Sequence, residues 1–366
     1  GGGDPTDHPD LPVYFREADR VLEADEHDWG EGCDLRTGRV RLPSIYAPPC
    51  VPVHTGDNGG ATSLGVTEDA IRIVVYQAAP GNDLTAALQA VSDDADVQQR
   101  TRVAFIEMLA DVYETYGRAM EIDTIVGSGA SDDEAAATAD AIRVAEEMEP
   151  FAVIGGPALT HAFAETLADR GIICIGCGLS VPDSVYQENA PYMWGELPTP
   201  EQFIRNLGDY LVRRLLGRPA EFAGPELRDR ERVFGTVNFE QDPPVFDTVA
   251  EESFERGRLR GYEAAVSERY ILDIPRLPER AASIIARMKE AGVTTIVFLG
   301  DPLMPGYLAD AATAEDYYPE WIVTGTVLTD TTALARAFYD NAQWQHAFGL
   351  SNLAARGSLE TQEPWR

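Results

Sequence analysis

The stretch Ile71-Arg72-Ile73-Val74-Val75-Tyr76, followed at once by Gln77-Ala78-Ala79-Pro80-Gly81, decides the fold. A run dominated by β-branched residues and closed by a Pro-Gly turn signal reads as a buried strand. A strand that is apolar on both faces belongs to a parallel sheet covered by helices.

The same pattern repeats on the C-terminal side. Val103, Ile106, Leu109, Ala110, Tyr113 and Tyr116 recur at helical steps, and Gly117 closes that run. Strands are predicted over 122–126, 151–154 and 172–175. Helices are predicted from a capping box at Ser131-Asp132-Asp133-Glu134 to Met148, and over 160–170. The short apolar stretch Tyr192-Met193-Trp194 ends this series. A second series follows Pro198. Thr199-Pro200-Glu201-Gln202 is a helix start, with a threonine cap and proline in the first turn. Strands are predicted over 233–237, 264–272, 295–299 and 321–324, with a helix over 279–291 closed by Gly292. Two successive β-α-β-α series predict an α/β fold of two doubly wound parallel-sheet lobes. On the N-terminal side, residues 1–65 are irregular and end in Gly56-Asp57-Asn58-Gly59-Gly60-Ala61-Thr62-Ser63, a flexible linker by composition. The expected organisation is an N-terminal segment over 1–65, lobe 1 over 66–197, lobe 2 over 198–345, and a closing segment over 346–366.

The 366 residues carry 29 basic and 61 acidic side chains, a net charge of −32. A field of that sign repels phosphate backbones and anionic lipid, and argues against nucleic-acid and membrane-surface partners. Hydrophobic residues at 44% and aromatics at 9% argue against wholesale disorder. No apolar run is long enough for a transmembrane helix. Lys289 is the single lysine, a skew that reads as genome composition.

Cys33 and Cys50 flank a Pro- and Gly-rich coil that holds itself poorly, and a disulfide between them is expected; two unpaired thiols are the alternative. Cys174 and Cys177 form a C-x-x-C at the end of an apolar run. A local disulfide is the leading reading, with buried thiols or a redox pair as alternatives. The histidines His8, His27, His54, His161 and His346 lack metal spacing, so no zinc site is expected.

Ligands of open parallel sheets bind beyond the carboxyl ends of the strands. Here those ends hold Gln77, the run from Gly156 and Pro157 to Thr160, Leu179 and Ser180, Asn238, Phe239 and Glu240, and Asp301 to Met304. Glycines, small hydroxyls and amides suit binding better than catalysis. No P-loop and no dinucleotide fingerprint is present, and no cofactor is expected. Gly178-Leu179-Ser180-Val181-Pro182 looks like a nucleophile elbow with its last glycine replaced by proline, and His161 has no supporting spacing as a base. Asp301 and Glu240 read equally as paired carboxylates, as charge recognition or as solvated groups. Trp194 reads as core or as a pocket wall.

The order of these elements resembles the type I periplasmic solute-binding proteins, the branched-chain amino-acid-binding branch of ABC-transporter receptors. The likeness is carried by Gly65-Val66-Thr67-Glu68-Asp69-Ala70-Ile71, Val153-Ile154-Gly155-Gly156-Pro157, the segment from Ile173 to Asp183, and Tyr192-Met193-Trp194. The long Cys-containing preface and the arginine skew resemble the actinobacterial members. The resemblance implies two lobes joined by hinge strands that close over a ligand. It implies a ligand carboxylate held by Thr160 and Ser180 and a ligand ammonium held by Asp301, with Glu240 second. Gly156-Pro157-Ala158-Leu159-Thr160 replaces the family's serine-rich turn, and Leu303, Met304 and Pro305 adjoin Asp301, which makes room for a larger, more apolar ligand. The stretch 346–353 resembles the third hinge strand, after which the family returns to lobe 1; that return is expected to be incomplete by Arg366.

The expected function is therefore an extracytoplasmic, non-enzymatic solute-binding protein that hands a small molecule to an ABC permease. Its expected location is the periplasm or cell surface, with a lipid anchor outside this numbering. The alternatives are the sensing domain of a surface receptor on the same fold, and a hydrolase using Ser180.

Overall fold

The computed structural model describes residues 26–42, 47–79, 93–178, 181–240, 244–258, 263–325 and 329–351. The first of these residues form a small disulfide-clipped unit. Strands β1 (Cys33–Asp34) and β2 (Arg39–Val40) pair antiparallel. The expected Cys33–Cys50 disulfide is present, with the Cα atoms 5.8 Å apart, and packs against buried Trp29. The stretch read as a flexible linker is fastened down. Arg118 donates from Nε to the Thr67 carbonyl (2.8 Å) and from Nη2 to the carbonyls of Asn58 (2.6 Å) and Gly60 (3.0 Å). The Asn58 side chain donates to the carbonyls of Glu68 and Tyr116. The glycines supply turns, and a distant arginine supplies the anchorage that composition does not show.

Lobe 1 comprises β3 (Ala70–Gln77), α1 (Ala95–Ala110), β4 (Ala119–Val126), α2 (Glu134–Arg143), β5 (Ala152–Ile154), α3 (Ala162–Ala168), β6 (Ile173–Ile175), α4 (Asp183–Glu188) and β7 (Met193–Trp194). The strands form one sheet in the order β4-β3-β5-β6-β7, and every pairing is parallel. Side chains alternate across it. Val74, Ile125, Val153, Cys174 and Met193 face α2 and α3, where Ala137, Ala141, Phe163, Ala164 and Leu167 complete a buried core.

Three local readings change. The helix expected through Tyr116 stops at Ala110, and Tyr116 (φ 57°) and Gly117 (φ 76°) make a turn instead. The cap of α2 is Asp133, not Ser131. Its extended backbone brings the carboxylate within 2.9 Å of the Ala136 N–H. The last turn of the expected helix, Val144–Met148, widens to a π-turn.

Lobe 2 begins with α5 (Pro200–Tyr210), which Thr199 caps through the Gln202 N–H as the sequence predicts. It continues through β8 (Phe234–Phe239), α6 (Val245–Arg258), β9 (Val266–Tyr270), α7 (Leu277–Glu290), β10 (Thr295–Leu299), α8 (Met304–Ala314), β11 (Glu320–Val323), α9 (Thr332–Phe338), α10 (Asn341–Trp344) and β12 (Ala347–Gly349). The sheet order is β12-β11-β10-β8-β9, again all parallel. Read from β9, this is second-first-third-fourth-fifth, the order of lobe 1. The stretch likened to a hinge strand is thus the edge strand of this sheet.

The second sheet is covered on both faces. Ile296 and Phe298 face α7 and α8, packing with Ile284, Ile285, Met288 and Leu308. Val297 and Leu299 face α5 and α6, packing with Leu207, Leu211, Val249 and Phe254. The first sheet differs from the expectation of two covered faces. Ile154, Ile175 and Trp194, neighbours in register on the face away from α2 and α3, are 41%, 39% and 58% exposed.

Candidate functional site at the carboxyl ends of the two sheets

In a sheet wound second-first-third, the strand order reverses between the first and third strands, and the loops leaving those strands diverge to opposite faces. The crevice between them is where ligands of such folds sit. In lobe 1 the reversal lies between β3 and β5, ahead of Gln77 and the run 155–160. In lobe 2 it lies between β8 and β10, ahead of Glu240 and the run 300–304.

The lobe 1 loops are built from close backbone approaches. Gly155 adopts φ 79° and donates its N–H to the Ile175 carbonyl (2.9 Å). Gly156 lies against the Cys177 backbone, where an added Cβ would meet the carbonyl oxygen at 2.9 Å. Thr160 is buried, and its hydroxyl accepts from the Ala162 N–H (3.2 Å), which leaves its own O–H to donate. The expected Cys174–Cys177 disulfide is present just below this loop, with both residues buried. Trp194 is held at its indole, which donates to the Pro191 carbonyl (2.7 Å), so the ring is exposed in a fixed orientation. Leu179 and Ser180 lie outside the described residues.

In lobe 2 the titratable groups turn inward. Asp301 is 4% exposed. One oxygen accepts from the N–H groups of Leu303 (2.7 Å) and Met304 (3.2 Å), which ties the loop to the start of α8. The other accepts from the hydroxyl of buried Tyr270. Burial pushes the Asp301 carboxyl above its ordinary range, against the pull of these donors. Burial and the Asp301 charge together push the Tyr270 phenol well up. Asn238 is also buried. Its amide donates to Asp247 (3.1 Å), which pairs with Arg269 (2.9 Å), while its own oxygen has no hydrogen-bond partner. Phe239 packs between Phe246 and Tyr270, and Met304 is fully buried in the lobe 2 core. Glu240 is exposed, and it lines a cavity of about 680 Å³ with Arg269, Ile271, Arg276 and Arg280.

The expected site residues therefore separate into two kinds. Gln77, Gly156, Pro157, Thr160, Trp194 and Glu240 stand at the carboxyl edges of the sheets. Asn238, Phe239, Asp301 and Met304 hold the edge of lobe 2 from within. Sequence reading missed Tyr270, because a tyrosine at the end of an edge strand gives no sign that a carboxylate from another strand will meet it.

No family model matches the sequence, and no curated protein matches it. Among solved structures, the branched-chain amino-acid-binding protein LivJ of Streptococcus pneumoniae, in complex with isoleucine, is 13% identical, with 69% of this chain and 64% of that one covered at a TM-score of 0.48. A solute-binding protein of Rhodopseudomonas palustris BisB5, in complex with 3,4-dihydroxybenzoic acid, is 13% identical over 69% of this chain and 62% of its own, at 0.49. A periplasmic binding protein type 1 of Bordetella pertussis is 14% identical, with 69% and 62% covered, at 0.45. The structural neighbours include this type 1 periplasmic binding protein and ABC-transporter solute-binding proteins. The chain spans 60–64% of the length of such neighbours.

Proposed function

We propose that this protein is an extracytoplasmic solute receptor that traps a small molecule between its two lobes and passes it to an ABC permease. The observation that carries the reading is the shared winding order. It places two switch-point loop sets in one chain, one lined by glycines, a free hydroxyl donor and an exposed indole, the other presenting Glu240. The two disulfides fit an oxidising compartment outside the cytoplasm. On the lobe 1 side, the backbone amides of Gly156 and Ala158 and the Thr160 hydroxyl hold a carboxylate or similar acceptor group. Trp194 and Gln77 border it, and Glu240 answers a donor group from lobe 2. Asp301 supports the loop and does not itself meet the ligand. A hydrolase reading has less support, because the strand-end loops are rich in glycines, small hydroxyls and amides and poor in titratable groups.

The test is isothermal titration of the whole chain against branched-chain amino acids, hydroxybenzoates, sugars and polyamines, with small-angle scattering on the best binder. One-site saturation with a reduced radius of gyration is expected. No binding by any class, together with an unchanged scattering profile, would remove the proposal.

A further inference from the structure

The two disulfides do different work. The chain-entropy gain of a cross-link grows with the logarithm of the loop it closes. Cys33 and Cys50 are 17 residues apart, whereas Cys174 and Cys177 are separated by three. So short a ring restrains the unfolded chain little, and its leverage lies in the native loops around it. Cys174 sits in the middle of β6, and Cys177 lies beyond the strand's carboxyl end. The backbone of Cys177 is the surface on which Gly156 rests: a Cβ there would stand 2.9 Å from the Cys177 oxygen and 3.1 Å from its Cα. The neighbouring backbone is threaded the same way. Gly155 donates to Ile175 and Gly176 donates to Trp194, each at 2.9 Å. At Gly178 a Cβ would lie 3.5 Å from the Thr160 carbonyl.

We infer that the Cys174–Cys177 disulfide is a positioning element of the ligand-facing edge of lobe 1. It fixes the height of the Cys177 backbone, on which Gly156 and the Thr160 loop rest, and so sets ligand affinity more than lobe stability. The inference builds on the reading of those loops as ligand-facing. Neither sulfur meets the ligand.

Hydrogen exchange on the whole chain tests it. In the C174A/C177A variant, amides of 155–160 and 176–178 are expected to exchange about tenfold faster, with β3 and α2 unchanged. Unchanged loop exchange, or acceleration spread evenly through α2 and α3, would overturn it, since either outcome describes a plain core staple. Gly156→Ala, with the disulfide intact, presses on Cys177 from the other side. It is expected to give the same local pattern, and it decides the matter where the double variant fails to fold. Isoleucine and 4-hydroxybenzoate serve as binding probes. For whichever binds the wild type, C174A/C177A is expected to weaken Kd about tenfold, and C33A/C50A to leave it unchanged. Equal Kd values in wild type and C174A/C177A would also overturn the inference. If neither probe binds the wild type, the solute-receptor reading loses its support for those ligands, while the exchange pattern still decides the role of the disulfide.

Discussion

Arg232 and Glu320 form a bidentate ion pair with no solvent contact, Nε donating at 2.7 Å and Nη2 at 2.8 Å. The Glu320 carboxylate also accepts from the Thr295 hydroxyl (2.6 Å) and the Phe222 N–H (3.0 Å). Arg232 donates further to the Leu215 carbonyl (3.3 Å). The pair ties the polar crossover before β8 to the start of β11. Removing one partner leaves a bare buried charge. Arg232→Ala is therefore expected to cost about 3–5 kcal/mol, read from the urea midpoint. Combining Arg232→Met with Glu320→Leu is expected to recover most of that loss, because both desolvated charges go together. A double variant as unstable as Arg232→Ala would show that the network, not the charge, is what matters.

Asp301 gives lobe 2 a pH signature. Its folded-state pKa lies above the ordinary aspartate value of 3.8, so the folded protein holds this proton more tightly than the unfolded chain does. Stability from this group is full below 3.8 and falls as pH rises through the raised folded value. Asp301→Asn is expected to flatten that part of the profile. Tyr270→Phe removes a donor that favours the carboxylate, so the decline should extend to higher pH. Stability at neutral pH should drop by about 1–3 kcal/mol. Urea midpoints from acid to neutral pH measure both, and superimposable wild-type and Asp301→Asn profiles would contradict the assignment.

The N-terminal unit depends on its cross-link. C33A/C50A is expected to lose about 3 kcal/mol of local stability, since the described residues of the unit gather only the small buried cluster of Trp29, Cys33 and Cys50. Limited proteolysis should then cut around Trp29 while the fragment carrying lobe 2 stays intact. Protection of residues 26–42 and 47–53 in this variant would show that the packing of Gly32 against the Val112 backbone, where an added Cβ would stand at 3.3 Å, suffices.

Two glycines separate backbone strain from crowding. Gly60 and Gly65 adopt φ 65° and 69°. An added Cβ meets nothing within 4 Å at Gly60, but would stand 1.9 Å from the Phe151 nitrogen at Gly65. Gly60→Ala should cost about 1 kcal/mol, the ordinary penalty for a left-handed residue. Gly65→Ala should cost clearly more, because the start of β3 must move away from β5. Equal melting temperatures for the two variants would refute the packing argument.

The strands at the centre of each sheet were legible because burial on both faces leaves an unbroken apolar run. β8, β10 and β11 carry that mark, and the cap at Thr199 was legible from three adjacent residues. Contacts between distant segments were not. Nothing near Asn58 or Gly60 in the chain points to Arg118 as their clamp, and nothing near Asp301 points to Tyr270. The same limit explains the site. Strand ends could be named in advance, but whether a side chain there looks outward, like Glu240, or inward, like Met304, depends on what the next strand brings. The half-open face of the first sheet was hidden for the same reason. Ile154 and Ile175 read as core residues in sequence, and only their register with Trp194 shows that they lie in one exposed row.

The repeated winding order has a thermodynamic consequence. Among the described residues, lobe 1 closes its apolar cluster with its own helices, and lobe 2 closes two clusters with its own, with no residue shared between the lobes. Each lobe is then expected to unfold as a cooperative unit of its own, so that a single melting temperature would not describe the chain. Calorimetry should resolve two transitions, with the later one belonging to the lobe whose sheet is sealed on both sides. A ligand gripped by both lobes would draw the two transitions together.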